Sequence, residues 1–297
     1  MTPAPVASAW VRLMPWVFVL IWSTGFIVAK YGLPHAPPLG FLVGRYAFSI
    51  ACFMVWILWS RAQWPVNAWQ WWHLAVTGVL MHGCYLGGVW FAVEHGMGSG
   101  LAALIVGLQP VLTAVWVSRM MGGKVTRVQW LGLLLGLVGL LLVLGRKLMA
   151  GTEVSVLTVS ATVFALLGIT AGTLYQKRFV HATDVRTANL VQLAAALAVT
   201  WPLSQFESEP MVWNLQLVGA MAWAVLALTL GGSSLLYLMI QRGAATAVTS
   251  LFYLVPPTTA VMAWLLFGEL ITLSTVLGTA LTALGVALVV RQTGPKD

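Results

Sequence analysis

The chain has 297 residues, 60% of them hydrophobic and only 7% charged, whereas soluble domains carry roughly 25% charged residues. A surface so poor in charge excludes a water-facing globule, and the mean hydropathy of +0.92 puts most of it against lipid. The net charge of +8 implies no nucleic-acid partner once its placement along the chain is considered.

Uncharged apolar stretches of about 20 residues, each long enough to cross about 30 Å of hydrocarbon, recur throughout. In chain order they predict helices over 11–30, 39–60, 70–93, 97–119 and 127–145, then 155–176, 186–205, 215–240, 244–267 and 272–290. The connectors are short, so no soluble domain is inserted. The fold class expected is an all-α polytopic membrane protein with about ten transmembrane helices. The first stretch follows Arg12, but "YGLPHAPPLG" after it lacks a small-residue cleavage site; it is expected to be a retained helix rather than a signal peptide.

With the N-terminus in the cytoplasm, Arg12, Arg61, Arg119, Lys124, Arg127, Lys177, Arg178, Arg186, Arg242, Arg291 and Lys296 fall inside. Only Lys30, Arg146 and Lys147 fall outside, and Arg45 lies within a span. This positive-inside bias places both termini in the cytoplasm, with Glu94, Glu153, Glu207, Glu209 and Glu269 on the outer side. Cys52 and Cys84 lie inside predicted helices and read as small buried hydrophobes. No Cys/His cluster suggests a metal.

The chain also repeats itself. "FAVEHGMGSGLAALIVGLQP" at 91–110 and "LMIQRGAATAVTSLFYLVPP" at 238–257 follow one pattern. Gly25 pairs with Gly172, Lys30 with Lys177, Gly96 with Gly243 and Pro110 with Pro257, all 147 residues apart. At an offset of 146, Gly122 pairs with Gly268, Gly132 with Gly278 and Gly139 with Gly285. The halves are read as 1–148 and 149–297, each with about five spans. An odd number of spans inverts the second copy, and inverted copies are the frame of alternating-access carriers whose substrate site lies near the midplane.

"WSTGFIVAK" at 22–30, "EHGMGSGLAALIVGLQPVLTAVW" at 94–116 and "AATAVTSLFYLVPPTTAVMAWLLFGELIT" at 244–272 resemble the EamA repeats of the drug/metabolite transporter superfamily. Within it, "WSTGF", "YLGGVWFAVEHGM" and "VGLQPVLT" are similar to inner-membrane exporters of aromatic and other amino acids. The resemblance implies a secondary transporter of the bacterial inner membrane that exports amino acids and small amphipathic metabolites without a cofactor, as a monomer in the lipid bilayer. A broad multidrug or other metabolite carrier of the same superfamily is the alternative. The family's acidic residue after the fourth helix is replaced here by Gly123.

Ionisable and polar groups inside spans are costly and therefore candidate sites. His82 and Tyr85 are one turn apart on the third helix and share a face; a core histidine bonded to a neighbouring helix is the competing reading. Gln109, Thr113 and Trp116 form a stripe on the fourth helix that serves equally well as helix–helix glue. Ser234 and Tyr237 on the eighth, Tyr253 on the ninth, Trp22 and Ser23 on the first, and Trp90 complete the candidate substrate-binding set. Pro110, Pro256 and Pro257, at matching places in the halves, are expected to be hinges. No phosphate-binding GxxxxGK[ST] loop is present, so ATP is not the driver, and no GxSG, HExxH or Asp-rich motif supports an enzyme.

Cysteine labelling of residues added at each end should place both termini on the cytoplasmic face; termini on opposite faces would overturn the ten-span reading.

Overall fold

In hydrocarbon no water is available to bond a free N–H or C=O, so an open chain must satisfy its backbone as helix. The computed structural model describes residues 9–120, 126–149, 154–180, 183–241 and 254–293, and among them the regular structure is all helical. The helices are α1 (Ala9–Gly32), α2 (Pro38–Ser60), α3 (Ala68–Gly78, Val79–Cys84 and Tyr85–Glu94), α4 (Ser99–Val106 and Gln109–Met120) and α5 (Arg127–Met149). The second half supplies α6 (Val156–Phe179), α7 (Val185–Ser204), α8 (Leu215–Trp223, Ala224–Ser233 and Ser234–Gln241), α9 (Val255–Phe267) and α10 (Leu273–Thr293). Five of these elements are long and apolar enough to cross a membrane unaided by tilt or thinning, and shorter apolar helices accompany them.

Side chains at the membrane surface stop the helices where the apolar runs stop. Asn67 accepts from Gln70 N at the start of α3, Asn214 from Leu217 N at the start of α8, and Ser155 with Thr158 forms a capping box at the start of α6. Each satisfies an amide that the first helical turn leaves free. Asp184 caps α7 and pairs with Arg186, whose hydrogen bond holds the carboxyl below its ordinary range. Gly268, at φ 66°, ends α9 in the left-handed region that glycine adopts without strain.

The core runs through α1, α2, α3, α4, α6 and α8, with Phe18, Phe26, Phe41, Leu42, Tyr46 and Phe53 completely or almost completely buried. Large apolar side chains such as Leu58, Trp69 and Phe206 face outward. In water such a surface would aggregate; in a membrane it is the lipid-facing side.

Contacts between the halves come in reciprocal pairs. On α5 and α10, a Cβ on Gly139 would collide with the Gly278 carbonyl, and one on Gly285 with the Gly132 carbonyl. Under the 146-residue offset, Gly132 corresponds to Gly278 and Gly139 to Gly285, so each residue touches its partner's counterpart. That is the signature of a two-fold relation. It holds again at 147, where Gly25 meets Leu228 and Gly172 meets Met81. The α5 and α10 backbones can approach this closely only because the contact residues are glycine. The pair runs antiparallel at the periphery, packing chiefly on itself and on α4.

Gly278→Leu should force α5 and α10 apart and lower the unfolding free energy by about 1–3 kcal/mol, the usual cost of overpacking. Gly219→Ala, where an added methyl meets open space, should leave the melting temperature in detergent unchanged or raised.

Candidate functional site

Two helices depart from α geometry at the centre of the bundle. Val79–Cys84 of α3 and Ala224–Ser233 of α8 are π-helical, and under the 147-residue offset the first maps inside the second. The wider turn is stabilised in α8 by Thr229, whose hydroxyl donates to the Ala224 carbonyl five residues back at 2.9 Å. Such bulges aim side chains away from the regular helical stripe and recur at functional sites. Between them lies a cavity of ≈ 540 Å³, counted with its open mouth.

Trp22, Arg45, His82, Tyr85, Gln176, Gln192, Ser233 and Tyr237 line it together with Gly25, Met81 and several leucines. Trp22 and Tyr85 stand parallel, with ring centroids 6.3 Å apart and planes 2° from coplanar. Arg45 is buried, and its Nε donates to Thr229 Oγ1 at 2.9 Å. Across the cavity Gln192 Nε2 has no hydrogen-bond partner among the described residues. Positions 45 and 192 correspond at the 147-residue offset, as do 82 and 229, so Arg45 and Gln192 hold equivalent places in the two repeats, with a cation on one side only. No carboxylate lines the cavity among the described residues.

The remaining sequence candidates lie elsewhere. Ser23 faces away from the cavity lining, donating to the Val19 carbonyl at 2.7 Å and accepting through its own carbonyl from Thr259. Trp90 is buried with its ring 4.3 Å from that of Phe41. Gln109 Nε2 donates to Thr173 Oγ1 at 3.1 Å, one turn along α6 from Gln176, and Thr113 Oγ1 is buried without a partner. Trp116 is half-exposed in a groove towards the basic end with Tyr175 and Phe179. Ser234 is buried beside Ser233, which is the serine that reaches the cavity. Tyr253 lies outside the described residues.

Pro110 sits in the first turn of the second segment of α4, after a break at Gly107 and Leu108, and Pro256 and Pro257 open α9. A first turn needs no donor from proline, which explains why breaks rather than kinks form there. The break at Gly107 touches the start of α9: a Cβ on Gly107 would collide with Pro256. The Arg45, Gln176, Gln192 and Ser233 contributions were missed by polar-stripe reasoning, although the repeat register already aligned Arg45 with Gln192.

At the end of the bundle that carries Glu94, Glu207 and Glu269, the halves are latched by carboxylates. Glu269 accepts from Lys30 Nζ at 2.8 Å and from Ser99 N at 3.1 Å, with Gly100 N at 3.5 Å. Glu207 accepts from Leu39 N and Gly40 N, both at 2.8 Å. Each carboxylate from the second half thus closes a helix N-terminus of the first, where free amides and the helix dipole favour negative charge. At the basic end the counterpart of Lys30 is Lys177, while that of Glu269 is Gly123, which lies outside the described residues.

A family model described as the EamA-like transporter family matches residues 10–145 and again 154–291. A transporter of Archaeoglobus fulgidus is 22% identical over 279 residues, covering 91% of this chain and 93% of its own. The inner membrane transporter YedA of Escherichia coli K12 is 25% identical over 82% of this chain and 78% of its own. A protein of the same strain named as a probable amino-acid metabolite efflux pump is 25% identical, over 61% of this chain and 58% of its own length. One crystal structure superposes with a TM-score of 0.68 at 17% identity, covering 95% of this chain and 96% of the other; it shares the fold.

Glu269→Ala removes the ion pair and orphans amides at the start of α4, at a cost of about 1–3 kcal/mol. A cysteine at Ser233, in a background with Cys52 and Cys84 replaced by Ala, should then label faster from the acidic end. Glu269→Gln keeps an acceptor and should fall between; unchanged labelling in both would show that the latch does not hold the cavity shut.

Proposed function

The chain belongs to the EamA-like transporter family, and from that premise we propose that it is a secondary, non-ATP exporter of amino acids, aromatic ones included, and of related small metabolites. The observation that carries this reading is the polar-aromatic cavity built from matching positions of both repeats. A site on the axis between inverted copies can be exposed to either side by exchanging the copies' conformations. Trp22, Tyr85 and Tyr237 offer ring faces to an aromatic or aliphatic side chain, and Arg45, His82, Gln176 and Gln192 offer polar groups to a zwitterionic end. The name of the Escherichia coli relative, an amino-acid metabolite efflux pump, supports the substrate class. The halves 1–148 and 149–297 are the moving units in this reading, with both termini in the cytoplasm and the acidic end outside. A carrier of cationic drugs is disfavoured because the lining holds no carboxylate among the described residues.

Flux through proteoliposomes loaded with labelled phenylalanine, with and without a pH gradient, tests both transport and coupling. Equal flux under both conditions means facilitated export.

His82→Ala should reduce that flux by about tenfold or more while leaving the melting temperature nearly unchanged. Alanine retains the backbone contact at this position, the Tyr46 hydroxyl donating to the His82 carbonyl at 2.7 Å, and loses the edge-on contact of the ring with Tyr46. Full flux with a lowered melting temperature would reassign His82 to a purely structural role.

A further inference from the structure

Arg45 poses a problem of charge. It lies at the middle of α2, is 5% exposed, and makes one hydrogen bond to a described residue, from Nε to Thr229. No described carboxylate pairs with it; the ion pairs among the described residues are Lys30–Glu269, His95–Glu94 and Arg186–Asp184. An intramembrane cation without a counter-ion is costly, and the fold does not require one there. The corresponding position of the other repeat is a glutamine, Gln192, which lines the same cavity. A neutral side chain therefore satisfies the same architectural place.

We infer that Arg45 is the anion anchor of the central cavity and that the transported solute carries a carboxylate there. A guanidinium presents its donors as a planar fork that matches a carboxylate bidentately, and among the described residues only Nε is engaged. Gln192 supplies a second observation: it is 3% exposed, lines the same cavity, and its Nε2 lacks a partner. One free amide N–H and a free guanidinium fork thus converge on one space from opposite repeats. The parallel rings of Trp22 and Tyr85 border that space, and their faces suit an ammonium or an apolar group. Charge then decides specificity. The empty cavity holds a fixed positive charge, a carboxylate neutralises it, and an organic cation without a carboxylate is repelled.

This inference rests on the exporter reading for its choice of probes only. Titration calorimetry on the purified full chain in detergent, with four phenyl compounds, tests it. L-Phenylalanine and 3-phenylpropanoate carry the carboxylate; L-phenylalaninamide and 2-phenylethylamine do not. On the wild type the carboxylates should bind at least about tenfold more tightly than the other two, equivalent to about 1.4 kcal/mol. Arg45→Gln, which copies the residue of the other repeat, should bring the carboxylates down to the level of the amide, with Arg45→Lys between. If 3-phenylpropanoate binds through Arg45 and phenylalanine does not, the anchor stands and the amino-acid reading falls. Equal binding of phenylalanine and its amide, or phenylalanine affinity within about twofold in Arg45→Gln, overturns the anchor and leaves the amino-acid reading intact. Inorganic phosphate that binds through Arg45 while no carboxylate does overturns the carboxylate assignment. Binding of none of these anions overturns both. Should Arg45→Gln fail to fold, the wild-type comparison of acid with amide decides alone.

Discussion

The Glu269 carboxylate joins three elements that the chain order keeps far apart. It meets Lys30 at the end of α1, the first amides of α4, and its own turn between α9 and α10. Apolar helices in lipid have little hydrophobic reason to choose one neighbour over another, because lipid tails are as apolar as the side chains. Orientation then falls to polar contacts of this kind. Glu207 does the same at the start of α2, so two helix N-termini of the first repeat are closed by acids of the second.

Two-fold geometry and non-two-fold chemistry coexist in the molecule. The backbone obeys the relation closely: Gly139 meets Gly278 as Gly285 meets Gly132, and Gly25 meets Leu228 as Gly172 meets Met81. Inverted copies must interlock in both of their arrangements, and small residues at the contacts allow that. The side chains break the symmetry where function asks for direction. Arginine faces glutamine at 45 and 192, histidine faces threonine at 82 and 229, and an acid at 269 answers a glycine at 123.

Irregular backbone sits at the centre of the bundle. The break at Gly107 and Leu108 rests against Pro256 at the head of α9, and the π-helical stretches of α3 and α8 flank the cavity. In hydrocarbon a free carbonyl is affordable only if protein or trapped water satisfies it. Both kinds of irregularity therefore lie inside the bundle, away from lipid. The peripheral pair α5 and α10 has neither, and its contacts are glycine on backbone.

Sequence alone determined the class, the number and order of the helices, and the duplication. These follow from local hydropathy and from residue register, each legible without knowing any contact. Helix limits agree within a few residues wherever a capping side chain or an αL residue marks them, as at Asn67, Asn214 and Gly268. Trp22, His82, Tyr85 and Tyr237 were legible as cavity candidates because polar or aromatic groups inside a span stand out against their neighbours. Tertiary structure decided which face each polar group takes. Ser23 and Gln109 turn into helix–helix contacts, and a one-turn stripe on a helix cannot tell such a contact from a cavity wall. The π-helical stretches rotate α3 and α8 by an amount that no periodicity reveals. The pairing of Arg45 with Thr229 spans 184 residues, so its partner, and the absence of a counter-ion among the described residues, exist only once α2 and α8 are brought together.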